Sequence, residues 1–299
     1  MVEEIRATGW LKDKFNPEAK YHVGVIPLAE VPNEVDLSTY LPPVRNQGGI
    51  NSCVGFGVSG AIGAIAKHLG CYQEPYSPNW VYNGARFLEN TLTQNVGCYP
   101  EDAYKWLKTV GCLIEPYWPY NPNSLCTTDP NNYKQFSIQY GEFDVIRIDN
   151  GVDGIISALA DGHCVAIGTP WPPTWSGNTS GILPIISPGL EITSGHMTFL
   201  YGYNKLTGYA YDQNSWGLSF GKLGKAQIPM ESFETFKTKY WGYDAHYVTF
   251  TPKVIPIPTP DPPKPNPNPC KVGNGICKVG NGVNCVLGRK GRFFYMNPK

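Results

Sequence analysis

Residues 53–69, CVGFGVSGAIGAIAKHL, constrain the fold more than any other stretch. The run is almost wholly apolar, lacks proline, and ends in Lys67 and His68 before Gly70, which are suitable last-turn and C-cap residues. A helix without a polar face must be buried all round. Its four glycines weaken intrinsic propensity, so tertiary burial has to stabilise it, and small residues allow neighbours to approach closely. The chain can supply that burial: 299 residues, 41% apolar and 13% aromatic, suffice for one large domain or two lobes.

Further helices are expected at 100–110, where PEDAYKWLKTV opens with proline and acids and is followed by Gly111, and at 153–161. Later segments are rich in β-branched and aromatic residues and separated by Gly, Pro and Asn. They are HCVAIGTP at 163–170, MTFLYGYN at 197–204, YAYDQNSW at 209–216 and HYVTF at 246–250, and they read as antiparallel strands. The folded body is therefore expected over 33–252, helix-rich first and strand-rich second. Before it, residues 1–32 form a polar lead-in whose Trp10, Leu11 and Phe15 are costly to leave in water and are expected to dock. After it, 253–269 is too proline-dense for helix or central strand and reads as an extended spacer. The tail at 270–299 carries KVGNG twice, too few copies for a solenoid, and a short basic run at 289–292 that reads as a solvated charge cluster.

Lys plus Arg and Asp plus Glu both total 24, so no global field draws the chain to nucleic acid or an anionic membrane. No segment approaches the about 18 uncharged apolar residues of a membrane span, and the N-terminus lacks the basic and apolar regions of an export signal. Nine cysteines, odd in number and irregularly spaced, do not make a self-contained disulfide framework, and the compartment stays open. Cys270, Cys277 and Cys285 lack tight zinc spacing and nearby histidines, so neither a metal nor another cofactor is expected. Cys71, Cys98, Cys112, Cys126 and Cys164 read as structural thiols, and His22, His68, His163 and His246 as ordinary polar or core residues.

Cys53 stands at the start of the buried helix, where the partial positive charge favours thiolate over thiol. A thiolate nucleophile needs a histidine as base and acid, a side-chain amide to fix that imidazole, and donors for an oxyanion. Three segments match this need in order. PPVRNQGGINSCVGF at 42–56 resembles the Gln-Gly…Ser-Cys segment of the papain family, SGHMTFLYGYN at 194–204 its His motif, and QNSWGLSFGKLGKAQI at 213–228 its Asn-Ser-Trp-Gly motif. His196 falls within the family's spacing of about 130 to 150 residues after the cysteine, and Asn214 slightly beyond it. YPEDAYKWLKTVGCLIEPYWPY at 99–120 resembles the stretch leading to the family's Tyr-Pro-Tyr turn.

The resemblance implies an α+β fold with a helical lobe, a β-rich lobe and the active site in the cleft between them. It implies Cys53 as nucleophile, His196 as base and acid, Asn214 as orienter, Gln47 as oxyanion donor, and Trp216 as the indole shielding the His–Asn bond. Ser215 and Gly217 then shape the turn. Substrate contacts are implied at Gly97 and Cys98, the family's glycine pair with its second member replaced, and at Gly195, which helps line the subsite for the second residue on the acyl side. Two other positions depart from the family: Ile50 replaces a common disulfide cysteine and Val54 a common tryptophan. Cys126 matches a family disulfide position whose usual partner falls near Gly84, so that bridge is not expected either.

The activity implied is peptide hydrolysis through a Cys53 thioester, as an endopeptidase or exopeptidase, with peptides or proteins as substrates and proteinaceous cysteine-peptidase inhibitors as partners. Acyl transfer on the same triad and a peptide-binding module without turnover remain alternatives. The lead-in has a parallel as well, since bacterial-type members carry a short N-terminal segment with a Gly-Trp pair, here within TGWLKDKFNP at 8–17. It is expected to cover the cleft as a short prosegment.

Overall fold

A computed structural model describes residues 6–23, 26–71, 74–186 and 189–251, and the backbone of three short strands between 276 and 295. The chain divides into two compact units, Met1–Ile255 and Pro256–Lys299.

The first unit begins with strands β1 (Lys20–Tyr21) and β2 (Glu34–Asp36), followed by the buried helix α1 (Cys53–His68). Every residue from Cys53 to Ala66 is buried, as its composition demands. Its small residues do what they were expected to do: a Cβ on Gly57 would lie 2.8 Å from the Thr198 carbonyl oxygen, and one on Gly60 would lie 2.4 Å from the Phe199 ring. Helix α2 (Pro78–Leu88) follows, with Ser77 as N-cap accepting from the Trp80 N–H at 3.2 Å and proline in the first turn. Helix α3 (Pro100–Val110) has Glu101 and Asp102 in its first turn and ends at Gly111 with φ 85°. These helices make the first lobe.

The second lobe is a mixed sheet. Its strands are β3 (Gly141–Arg147), β4 (Val165–Pro170), β5 (Gly195–Asn204), β6 (Tyr209–Gln213), β7 (Lys225–Pro229) and β8 (Asp244–Thr251), in the order β1-β3-β8-β4-β5-β6-β7 with β2 pairing on β5. Only β1–β3 is parallel among these pairs. Helices α4 (Gly151–Ala160), α5 (Pro173–Ser176) and α6 (Glu231–Lys239) pack on this lobe. Their core contains Trp171, Trp175, Phe220, Phe233 and Phe236 with the aliphatic residues of β4 and β5.

All four expected strands change bounds. The 163–170 segment begins at Val165, the 197–204 segment at Gly195, the 246–250 segment spans Asp244–Thr251, and the 209–216 segment stops at Gln213. Asn214 leaves the strand because its N–H donates to the Gly224 carbonyl and its side chain turns back on the next residue. The helix expected at 153–161 starts at Gly151, and α2, α6, β3 and β7 add to the sequence reading.

The second unit contains β9 (Ile276–Val279), β10 (Val283–Leu287) and β11 (Phe293–Tyr295), an antiparallel meander in the order β11-β10-β9. The spacer read at 253–269 and the first KVGNG copy lie outside the described residues.

Candidate active site

Adjacent strands bring His196 and Asn214 together. Phe199 of β5 pairs with Gln213 of β6, so the residue just past β6 lies beside the start of β5. His196 Nε2–H donates to Asn214 Oδ1 at 3.0 Å. Asn214 Oδ1 also accepts from the Ser215 backbone N–H at 2.6 Å, which fixes the amide before it meets the ring. Trp216 stacks on the imidazole, with centroids 4.2 Å apart and planes at 23°, and Trp171 meets it edge-on at 4.8 Å. Two indoles thus keep water from the His–Asn bond.

A second tie joins this turn to the segment before α1. Gln47 N–H donates to the Ser215 carbonyl at 2.8 Å, and Gly217 N–H to the Arg45 carbonyl at 3.0 Å. Ser215 Oγ donates to Gln47 Oε1 at 2.6 Å, leaving Gln47 Nε2–H to donate to Ile50 O at 2.8 Å and Ala7 O at 3.1 Å. Ser215 therefore orients the donor amide as well as shaping the turn. Cys53 begins α1, and Ile50 and Val54, the two departures beside it, are both buried.

The lead-in lies across this centre. Residues 6–13 form a strap whose Gly9 and Trp10 N–H groups donate to Gly195 O at 3.1 and 3.2 Å. Leu11 N–H donates to Cys98 O at 3.2 Å and Cys98 N–H to Gly9 O at 3.0 Å, a parallel bridge. The Ala7 carbonyl accepts from both Gln47 Nε2 and Trp216 Nε1, the latter at 2.8 Å. Gly97 and Gly195 touch the strap directly, since a Cβ on either would fall 2.1 Å from Gly9 O or 2.3 Å from Trp10 Cε3. Gly9 itself has φ 137°, and a Cβ there would sit 2.2 Å from Asn51 O. Of the three lead-in side chains expected to dock, Trp10 is buried, Leu11 is 39% exposed and Phe15 is 83% exposed. Phe15 stays in water although its neighbours are held, Lys14 over the Tyr99 ring and Asn16 Nδ2–H donating to Glu101 Oε1.

Covering the centre changes its titration. Burial pushes the Cys53 thiol up to about 12, against the pull of backbone N–H groups that include those of Met197 and Trp10. Burial pushes His196 down to about 4, against the Asn214 hydrogen bond. His196 Nδ1 makes no hydrogen bond. Burial thus favours the neutral form of both groups, the thiol and the imidazole.

A buried polar cluster anchors the strap. Asp244 Oδ2 accepts from Trp10 Nε1 at 2.9 Å and Asp13 N at 2.8 Å, while Oδ1 accepts from Lys12 Nζ at 3.0 Å and Arg147 Nη2 at 3.1 Å. Asp13 Oδ1 accepts from Glu101 N in the first turn of α3, and Oδ2 lies 3.5 Å from His246 Nε2. Burial and the neighbouring Asp244 raise the Asp13 carboxyl, and burial pushes His246 down to about 4. Reading the sequence alone placed His246 among ordinary residues and did not single out Asp244, Arg147 or Trp171. The first two sit in unremarkable strand text, whereas the aromatic cluster Trp171-Pro-Pro-Thr-Trp175 was a usable signal of a packed wall.

Among the described residues no group of three His, Cys, Asp or Glu side chains could hold a metal ion, the six cysteines are unbridged, and no helix is long and apolar enough to cross a membrane. Cys126 is one of those free thiols, and near Gly84 the space is taken by Trp106.

A family model described as papain family cysteine protease matches residues 31–238. The chain is 22% identical over 211 residues to an uncharacterised peptidase C1-like protein of Acanthamoeba polyphaga mimivirus, covering 66% of this chain and 68% of that one. Among solved structures it is similar to xylellain, a cysteine protease from Xylella fastidiosa, with TM-score 0.67, 22% identity, and coverage of 85% of this chain and 99% of the other. A Carica candamarcensis cysteine protease in complex with E-64 gives TM-score 0.56 and 19% identity, covering 74% and 100%. Digestive procathepsin L 3 of Tenebrio molitor larval midgut gives 0.59 and 18%, covering 77% and 73%. The papain-type α+β fold and the match over most of the first unit agree, and the chain belongs to the papain family of cysteine proteases.

Proposed function

We infer that the chain is a peptidase made as a covered precursor: Cys53 attacks a peptide carbonyl, His196 takes and returns the proton, and residues 6–13 hold the cleft shut until displaced. Once the strap leaves, water reaches the cleft, the burial that favours neutral thiol and imidazole is relieved, and the helix start favours thiolate. The thiolate adds to the carbonyl, and the oxyanion is held by Gln47 Nε2–H and the Cys53 N–H. His196, kept in one tautomer by Asn214, protonates the departing amine, and water then hydrolyses the thioester.

The observation that carries this reading is the Ala7 carbonyl seated on Gln47 Nε2, at the place assigned to a reacting carbonyl. The strap resists cleavage because of its direction. A substrate residue on the acyl side precedes its scissile carbonyl, but Trp10, lodged against Gly195, follows Ala7 in sequence. The strap therefore runs opposite to a productive substrate.

Turnover of a peptide mixture by the full chain and by a form starting at Asn33 tests the reading. Hydrolysis should appear in the shortened form and be suppressed in the full chain. Equal rates would remove the covering role, and amide products formed with a competing amine, read by mass spectrometry, would mark acyl transfer in place of hydrolysis.

A further inference from the structure

Helix α3 carries two faces. Ala103, Trp106, Leu107 and Val110 are buried in the core, while Tyr104, Lys105 and Lys108 recur at helical spacing along a cavity of about 450 Å³. Strands β3 and β8 supply the facing wall through Arg147 and His246, which pair in register, and the lead-in closes it through Asp13 and residues 16 and 18–20. The volume falls within the about 300–1,000 Å³ of small-molecule sites, and none of Gln47, Cys53, His196 or Asn214 lines it. Two side chains on its wall, Asp13 at 6% and Tyr104 at 3% exposed, end in buried atoms without a hydrogen-bond partner, Asp13 Oδ2 and Tyr104 Oη. Asp13 Oδ2 lies 3.5 Å from His246 Nε2 and 4.0 Å from Arg147 Nη1 and bonds to neither.

A buried carboxylate oxygen without a donor and a buried hydroxyl without a partner are costly, so this end of the cavity calls for a ligand that brings a donor. Burial pushes His246 down to about 4, and its ring therefore brings no charge to Asp13 at neutral pH. An ammonium supplies charge and hydrogens together, reaching Oδ2 by a charge-assisted bond and Tyr104 Oη by an ordinary one. Further along α3 the lining turns cationic. Lys105 is exposed and forms no ion pair among the described residues, and Lys108 reaches Asp144 only at 3.9 Å. Asp13 accepts from the Glu101 N–H, and Lys108 lies two turns beyond Glu101, about 10 Å along the axis and the span of two or three extended residues. We propose that the cavity binds a short peptide with free termini, two or three residues long, its ammonium on Asp13 and its carboxylate on Lys105 and Lys108. Asp13 belongs to the strap, so the site is complete only while the cleft is covered, and a ligand in it holds the cover shut. The inference rests on the peptidase reading only for the ligand's source: hydrolysis releases peptides of this kind, and they keep the remaining precursor closed.

The test uses the full chain carrying Cys53→Ala, so that turnover plays no part. Calorimetry with trialanine measures binding, and hydrogen exchange at the Gly9, Trp10 and Leu11 amides reports strap docking. At about ten times its dissociation constant, trialanine should slow that exchange about tenfold, the factor set by binding to the covered form alone. N-acetyl-trialanine, trialanine amide and alanine should each bind about tenfold or more weakly, having lost one charged end or the length to reach both. Tyr104→Phe and Lys105→Gln, neither of which removes a hydrogen bond to the strap, should each weaken binding about fivefold or more. Absence of binding up to about 10 mM, equal binding of the capped peptides, or binding unchanged by both substitutions overturns the proposal. Faster exchange overturns it too, since a peptide that enters the cleft displaces the strap. None of these outcomes touches the peptidase reading, which the strap-released native sequence decides by cleaving or failing to cleave a peptide mixture.

Discussion

His196 on β5 and His246 on β8 lie in one sheet on either side of β4, both are buried, and burial pushes both down to about 4. Their surroundings differ. His196 is boxed by Trp171 and Trp216 and hydrogen-bonded to a neutral amide, with Nδ1 unengaged. His246 lies beside Asp13, with Asp244 and Arg147 completing a compact charged cluster. The first environment fixes one ring nitrogen on a neutral amide and leaves the other without a partner. The second invests its polar groups in holding a segment of chain. One cluster leaves a ring nitrogen unengaged, the other spends its polar groups on retention, and the strap touches both.

Damage to the two clusters should therefore have opposite signs in the full chain. The largest effect belongs to the nucleophile: Cys53→Ala should lower peptide hydrolysis by about a thousandfold or more in a strap-released form, without changing its circular dichroism. Gly9→Val should do the reverse, raising thiol labelling of the full chain by about a hundredfold, because its Cβ meets Asn51 O at 2.2 Å and no side chain there can yield. Trp10→Ala should act in the same direction, losing burial and the Asp244 bond worth together about 3 kcal/mol, read as faster hydrogen exchange across residues 9–11. Ser215→Ala should be the mildest, lowering turnover by about tenfold through a loosened Gln47 while leaving KM nearly unchanged.

Titration sharpens the contrast. The Cys53 pKa is raised from an ordinary 9.0 to about 12 in the covered cleft, so closure favours the thiol and the thiolate appears only as pH climbs toward 12. The sign follows from the direction: the covered form's preference for a neutral thiol is fully present below pH 9 and is lost above it. Iodoacetamide alkylation mapped to Cys53 in the full chain should accordingly run roughly a thousandfold below an ordinary thiol at neutral pH, and keep rising with pH past 9 without levelling off. With the strap displaced, the half-point should fall below 9, since the helix start and His196 then favour thiolate.

The sequence made much of this legible, for physical reasons that can be named. An all-apolar helix must be central, and α1 matches the expected 53–69 within a residue. Gln47, His196, Asn214 and Trp216 were singled out because their segments resemble the motifs of the papain family in order, and the fold brings those four side chains together. Helix α2 escaped because Asn79, Asn83, Gly84 and Arg86, all buried, lower its apolar content, although Ser77 and Pro78 marked its start. Asp244 and Arg147 escaped for a deeper reason. Each is an ordinary charge on an ordinary strand until the sheet order β3-β8-β4 sets them side by side and a distant lead-in lands on them. Long-range pairing of that kind leaves no local pattern. Phe15 shows the converse: a large apolar residue can look like a docking anchor and still face water, as its 83% exposure does.

The most direct test of a strap-covered Cys53 nucleophile is mass spectrometry of the full chain treated with an epoxide thiol inhibitor, before and after proteolytic displacement of residues 6–13. The intact chain should take up no label, and the displaced form should gain one adduct mapped to Cys53. Equal labelling of both forms, or an adduct on a different cysteine, would contradict it.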